Sequence, residues 1–308
     1  MDRLREMEVF VAVAAEGGLS RVARTLGLSP PAVTRALAAL ESRIDTWLFH
    51  RTTRSLSLTD AGIRFLANAQ RLLADIEHAE NDASGAGVMP RGHLTVTASA
   101  MFGRTVLMPI IAGFLDVHPL VTVTVLMVDR IVDMVEEGVD LAIRISHLPD
   151  SSLVARRVGA VRRLLVASPD YLARRGSPAV PADLRDHAVI AVTGLMPAGA
   201  WHHVSAGRPR SIALAPRLTV NDTASALSSA AAGYGITVAL SYMVTKALRR
   251  GDLVPVLGAF APPEVPVHLV MASGHHVAPA VRAFIEFAVP SITAALGDCT
   301  MAAKADEI

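Results

Sequence analysis

The 308-residue chain predicts a two-part protein: an all-α N-terminal portion built around a winged helix-turn-helix and a long following helix, then an α/β C-terminal portion. Three observations carry that expectation. Two short apolar-periodic runs meet at a glycine turn in "LSRVARTLGLSPPAVTRALAALE", Leu19 to Glu41. "ENDASGAGVMPRG", Glu80 to Gly92, is small, polar and free of hydrophobic period, as a linker is. Beyond it, strand-like runs alternate with helical ones, the pattern of α/β units.

Taken in order, Leu4 to Ala15 reads as a helix with Leu4, Met7, Phe10, Val11 and Ala14 on one face. Ser20 is expected to cap a short helix to Leu26, which Gly27 ends. Ser29 is expected to cap a third helix running to about Ile44, with Pro30 at the first helical position, where its missing N–H costs nothing. "LFHRTTRSLSL", Leu48 to Leu58, predicts a hairpin with a basic tip, and Thr59 caps a long helix from Asp60 to about Ala83. After the linker, "HLTVTAS" predicts a strand and Phe102 to Leu115 a helix. "LVTVTVLMV" predicts a strand buried on both faces, as in a parallel sheet. Asp129 to Glu137 is expected to be helical and "VDLAIRI" a strand. "RRLLVAS", "AVIAV" and "RLTV" follow as strands, Thr223 to Ala232 as a helix, "GITVAL" and "VPVHLVMA" as strands, and Pro279 to Leu296 as the last helix. The uncharged run Thr223 to Thr245 is long enough to test as a membrane span. "AAGYGIT" breaks it into helix, turn and strand, so no membrane partner is expected.

Composition narrows the function. Net charge is only +1, so the whole molecule is not a polyanion binder. Charge is nevertheless uneven: from Ser20 to Arg64 seven arginines face three acids, a local +4, which suggests one face built to meet an anion. Cys299 is the single cysteine, so no internal disulfide forms, and a reducing, cytoplasmic location is expected. "MDRLREMEVF" has no export-signal pattern.

The arginine-rich window explains itself as a DNA reader. Val22, Ala23, Leu26, Leu28, Val33, Leu37 and Leu40 fit the inward positions of a helix-turn-helix. The caps at Ser20 and Ser29 mark helix N-termini, which attract phosphate. Pro31, Thr34, Arg35 and Ala38 fall on the outward face of the second helix. Arg35 can reach guanine O6 and N7 with two hydrogen bonds, worth about 1–3 kcal/mol of discrimination, and Arg51 and Arg54 on the hairpin would meet backbone or minor groove. A helix pair with merely solvated arginines shares part of this pattern; the leading helix, basic wing and long capped helix in sequence favour DNA binding. On the long helix Phe65, Ala69, Leu72, Ile76, Ala79 and Ala83 recur at steps of four and three, a coiled-coil seam that would pair two chains, or else pack on its own domain. Pairing would hold two recognition helices apart at the spacing a pseudo-palindromic duplex site requires.

From these residues the chain resembles a LysR-type transcriptional regulator over residues 1 to about 295. The matching segments are "MEVFVAVAAEGGLSRVARTLGLSPPAVTRALAALE", "LFHRTTRSLSLTDAG", "FLDVHPLVTVTVLMVDRIVDMVEEGVDLAIRIS", "SSLVARRVGAVRRLLVASPDYL" and "GYGITVALSYMVTKAL". The resemblance implies a winged helix-turn-helix over 1–59 and a dimerising linker helix and hinge over 60–90. It further implies an effector-binding domain over 91–298 made of two Rossmann-like subdomains similar to periplasmic binding proteins. Subdomain I would take 91–163 and 267–298, subdomain II 164–266, leaving a tail at 299–308. Dimers and tetramers, double-stranded promoter DNA, a small-molecule effector and RNA polymerase are the partners so implied. Three positions depart from the family pattern: Ile44-Asp45 stands where relatives usually have Leu-Gly, Val238 where they often have Arg, and Ala280 where they often have Lys.

In such α/β domains a ligand sits beyond the carboxyl ends of strands. "TASAMFG" brings Ser99, Ala100, Met101 and Phe102 to the first such junction, with Ser99 capping a helix or donating to a ligand. "VDR" and "IRIS" add Asp129 and Arg144; the other subdomain adds Thr193, Asn221 and Thr223. By resemblance, Ser99 to Phe102, Thr193 and Asn221 match the effector pocket. Arg144 would serve an anionic effector such as a small organic acid, or form an ion pair with Asp129 or Asp140. His202-His203 and His275-His276 are adjacent pairs that point to opposite sides of a strand, so no metal is expected. No cofactor motif, nucleophile elbow, HExxH or P-loop occurs, which argues against an enzyme. A cytoplasmic small-molecule binding protein without a DNA role remains the alternative, and it leaves the N-terminal unit unexplained.

Overall fold

A computed structural model describes residues 2–51, 56–83, 89–148, 153–272 and 278–304. The chain forms two compact units, one mainly from Met1–His93 and the other from Leu94 onward.

In the first unit α1 (Arg3–Glu16) is capped by Asp2, whose carboxylate accepts from Arg5 N at 2.8 Å, and ends at Gly17 with φ +66°. Next come α2 (Leu19–Thr25) and α3 (Pro30–Ile44), joined through Gly27 at φ +64°, a conformation that favours glycine. Val9, Phe10, Val22, Val33, Leu37 and Leu40 are all essentially inaccessible. Phe10 meets the rings of Phe49 and Phe65 at 5.3 and 5.2 Å. Each such aliphatic or aromatic burial contributes about 1.5–3 kcal/mol, which is what holds three short helices together.

Two expected caps differ. Gly18 is the N-cap of α2, and Ser20 is already inside the helix. Ser29 does occupy the N-cap of α3, but its hydroxyl caps nothing. Pro30 and Pro31 offer no N–H, and the Ala32 amide donates to the Ser29 carbonyl instead, at 2.9 Å. Asp45 ends α3 in the left-handed region at φ 51°, ψ 41°.

The hairpin pairs β1 (Phe49–Arg51) with β2 (Leu56–Leu58), Phe49 opposite Leu58 and Arg51 opposite Leu56. Its root is tied to α3: the buried Glu41 Oε1 accepts from Leu48 N at 2.9 Å and Phe49 N at 3.3 Å. Thr59 caps α4 (Asp60–Ala83) as expected, accepting from Gly62 N at 2.9 Å and donating to the Trp47 carbonyl at 2.8 Å. The stripe expected on α4 divides. Ala69 is 1% exposed and, with Phe65, packs into the core of its own unit, whereas Leu72 and Ile76 are exposed. The first turns of α4 therefore close the domain, and only the later turns leave apolar residues open; the Ala79 and Ala83 side chains lie outside the described residues.

The second unit contains two five-stranded mixed sheets. After β3 (Gly92–Ala98), α5 (Ala100–Phe102) runs through a π-helical turn at Gly103–Leu107 into α6 (Met108–Val117). Then follow β4 (Val121–Met127), β5 (Leu141–Ile145), β6 (Leu153–Val161), β7 (Arg163–Ala167), α7 (Pro169–Arg175), β8 (Val189–Val192), β9 (Ala200–Ser205), β10 (Arg208–Ala213) and β11 (Leu218–Val220). The remainder is α8 (Thr223–Ala231), β12 (Ile236–Leu240), α9 (Ser241–Arg250), β13 (Val254–Val256), β14 (Val265–Ala272) and α10 (Pro279–Lys304). One sheet has the order β4-β3-β5-β14-β6 and the other β11-β8-β12-β7-β13. The chain thus leaves the first sheet after β6 and returns to it at β14, which makes two subdomains.

Four expectations change here. β4 is an edge strand with only Val121 buried and Thr122 and Thr124 exposed, so it is not covered on both faces. Asp129 to Glu137 is a set of turns: Asp133 Oδ1 accepts from Val135 N and Glu136 N, and Glu137 from Asp133 N, side-chain bonds that replace the helical ladder. β6, the β9–β10 hairpin, α7 and α9 were not expected; the hairpin closes through Ala206 and Gly207, both at positive φ. Finally, α10 continues to Lys304, so the first part of the expected tail, including the buried Cys299, is helix.

Val238 and Ala280 are 0% and 1% exposed. The Ala100–Val117 and Pro279–Cys299 segments are long and apolar enough to cross a membrane. They instead pack together through Phe114, whose ring lies 5.1 Å from Phe284 and 5.6 Å from Phe287.

Candidate functional site

The helix-turn-helix presents the expected outward face. Pro31, Thr34, Arg35 and Ala38 are exposed on α3, while Val33, Ala36, Leu37 and Leu40 point inward. Thr34 Oγ1 donates back to the Pro30 carbonyl at 3.2 Å, which leaves its lone pairs outward. The arginines of the window divide by role. Arg43 is tied to the buried Glu6 and serves the fold. Arg24 and Arg35 are exposed and carry no ion pair among the described residues. Ser20 and Ser29 are exposed at helix starts, although neither hydroxyl caps. Arg51 lies on β1; its side chain, and the whole of Arg54, fall outside the described residues.

In the second unit a cavity of about 720 Å³ lies between the two sheets' carboxyl ends. Its walls are Thr97 to Ser99 at the end of β3, Val128 to Val132 after β4, Ala142 to Ser146 along and just beyond β5, Val192 to Leu195 at the end of β8, Asn221 and Thr223 after β11, and Leu240, Tyr242 and Met243 at the end of β12. Six expected residues are brought together: Ser99, Asp129, Arg144, Thr193, Asn221 and Thr223. Ala100, Met101 and Phe102 are not on the lining. Met101 packs into the core of the other subdomain, and Phe102 is fully buried, its ring edge-on to Tyr242 at 5.2 Å. Ser99 does not cap α5; Asp129 Oδ1 takes that place by accepting from Ala100 N at 3.0 Å.

Charge in the cavity is specific. Arg130 is held by both Glu137 oxygens at 2.6 Å, a pairing that pulls the Glu137 carboxyl below its ordinary pKa and raises Arg130. Arg144 has no such partner among the described residues: its Nη2 donates to the Val132 carbonyl at 3.1 Å. Tyr242 was missed in the sequence, although it opens the helix after "GITVAL" and so meets the same strand-end rule that picked Ser99. Burial is the main cause that raises its phenol above the usual pKa. Among the described residues no three His, Cys, Asp or Glu side chains gather as a metal site. His203 is buried and stacked on Trp201 at 4.9 Å, while His202 is exposed.

A helix-turn-helix with an open, cationic reading face, in one chain with a ligand-sized cavity between two α/β subdomains, defines a ligand-responsive DNA-binding regulator. Comparison with known proteins gives the family. Residues 4–63 match the bacterial regulatory helix-turn-helix protein, lysR family, and residues 88–291 match the LysR substrate binding domain. The chain is 32% identical to the HTH-type transcriptional regulator DmlR of Escherichia coli over 92% of each chain. It is 31% identical to an HTH-type transcriptional regulator of Xanthomonas campestris over 93% of this chain and 84% of that one. Among solved structures it is similar to CrgA, a LysR-type transcriptional regulator from Neisseria meningitidis, with a TM-score of 0.62, 29% identity, and coverage of 94% of this chain and 98% of that one. The chain belongs to the LysR family of DNA-binding transcriptional regulators, with an effector-binding domain C-terminal to the DNA reader.

Proposed function

We propose that this regulator is a non-enzymatic cytoplasmic protein that docks α3 in the major groove of promoter DNA and changes its grip when a small molecule enters the cavity. The observation that carries the reading is the exposed α3 face, where Arg35 stands without an ion pair among the described residues. Arg35 would read a base edge; Ser20, Ser29, Pro31, Thr34 and Ala38 would line the groove; Arg24 and the wing cations Arg51 and Arg54 would hold phosphates. Self-association is supported by the exposed Leu72 and Ile76 on α4, two apolar side chains one helical turn apart. RNA polymerase is the further partner the family suggests. Effector contacts would come from Ser99, Asp129, Arg144, Thr193, Asn221 and Thr223.

The test is a titration of duplex DNA across salt concentrations. Each neutralised phosphate contributes a slope of about −0.9 in log affinity against log salt. A steep slope with preference for a symmetric site supports the reading. Absence of duplex binding at low salt, with and without metabolites, would remove it.

A further inference from the structure

Two hydroxyls in the cavity are buried without a partner. The Tyr242 OH, on a side chain 4% exposed, and the Ser99 Oγ make no hydrogen bond among the described residues. They belong to different subdomains: Ser99 follows β3, and Tyr242 opens α9. Ser99 is near enough to temper the rise in the Tyr242 pKa, so the two are neighbours whose geometry falls short of a bond. An unpaired buried hydroxyl is unfavourable, and two side by side in a cavity favour a ligand that brings a polar group to them.

The surroundings narrow that group. After burial, the charge of Asp129 also raises the Tyr242 phenol, so Asp129 lies close to the pair. Its Oδ1 accepts from Ala100 N, and its other oxygen takes no bond from the described residues. A carboxylate placed here would meet the charge of Asp129. An ammonium could donate to both hydroxyl oxygens and to Asp129 but would leave the buried Tyr242 O–H proton without an acceptor, and a methyl group would leave both hydroxyls unpaired. A hydroxyl does both jobs on one atom, accepting from Tyr242 and donating to Asp129. The same cavity offers Arg144, a guanidinium without a carboxylate partner among the described residues, while Arg130 is already neutralised by Glu137.

Resting on the reading of this cavity as the effector site, we infer that the effector is a hydroxy acid, its hydroxyl placed among Tyr242, Ser99 and Asp129 and its carboxylate on Arg144. Tyr242 is then the specificity residue for the hydroxyl. The ligand bridges the subdomains at the point where Phe102 and Tyr242 already touch.

Matched acids test this on the full chain by calorimetry: glycolate against acetate, 3-hydroxybutyrate against butyrate, and 6-hydroxyhexanoate against hexanoate, which vary the spacing of the two groups. At least one hydroxy acid should bind about tenfold or more tightly than its deoxy partner, since a buried polar site rejects an analogue that leaves it unpaired. Tyr242→Phe should erase that preference, Ser99→Ala should reduce it, and Arg144→Gln should weaken both members alike. Without ligand, Tyr242→Phe and Ser99→Ala should melt no lower than the parent, because each removes a hydroxyl that bonds nothing. Failure of all six acids to bind the parent overturns the hydroxy-acid assignment, while the DNA titration still judges the regulator reading separately. Preference kept in both Tyr242→Phe and Ser99→Ala, tighter binding of succinamate than of any hydroxy acid, or a clear loss of thermal stability in either ligand-free variant would also overturn it.

Discussion

Glu41 offers the sharpest test of how the reading helix and the wing are held in register. It sits on the inner side of α3, 4% exposed, and its Oε1 receives the amides of Leu48 and Phe49 at 2.9 and 3.3 Å. Glu41→Ala strands both buried N–H groups. A hydrogen bond to a charged acceptor contributes about 1.5–3 kcal/mol, and the longer second bond less. Alanine returns a few tenths of a kcal/mol through helix propensity. The net expectation is a loss of about 2–3 kcal/mol in the stability of the DNA-binding unit. Glu41→Gln keeps an oxygen acceptor without the charge and should lose about 1 kcal/mol. Denaturant unfolding followed at the N-terminal unit gives the energies, and amide hydrogen exchange at Leu48 and Phe49 gives the location. Duplex affinity should fall several-fold with base preference unchanged, because the wing root loosens while α3 keeps its outward face. A Glu41→Ala protein within about 0.5 kcal/mol of the parent, the ordinary range for an inconsequential surface substitution, and with unaltered exchange at both amides, would refute the reasoning.

Asp45→Gly should stabilise the same unit by about 0.5–1 kcal/mol, because the chain there is left-handed and glycine adopts that region freely; a lower unfolding midpoint would contradict it. Arg35→Ala should flatten the base preference at one position of each half-site by about 1–3 kcal/mol, read by selection from randomised duplexes; an unchanged consensus would exclude Arg35 from base contact. Leu72→Glu, on an exposed part of α4, should dissociate the dimer without lowering the melting temperature of the DNA-binding unit; sedimentation showing the parent's assembly would exclude Leu72 from the interface.

Much of the reader was legible from local rules. Gly27 needs its positive φ, Thr59 caps α4, and the alternation of inward Val33 and Leu37 with outward Thr34 and Arg35 follows from helical period alone. Local rules erred where neighbours compete for the same groups. Ser29 has the residue type and position of a cap, yet Pro31 removes one N–H that its hydroxyl could receive, and the other, of Ala32, goes to the Ser29 carbonyl. Asp129 to Glu137 has helical spacing, yet Asp133 and Glu137 draw the backbone amides into turns. The heptad steps on α4 are real, but period does not say which surface a stripe meets: Phe65 and Ala69 meet Phe10's core, and Leu72 and Ile76 do not.

The sequence by itself determined the class of the protein, because helix periods, caps and the strand–helix alternation are short-range properties that each segment carries alone. The tertiary structure decided the cavity. Whether Arg144 finds a carboxylate, whether Met101 faces ligand or core, and whether Tyr242 stands beside Ser99 are settled by how β3, β5 and β12 are brought together in space, across separations of up to 143 positions between Ser99 and Tyr242. Pairing and burial are properties of that assembly, and no stretch of chain shorter than the domain contains them.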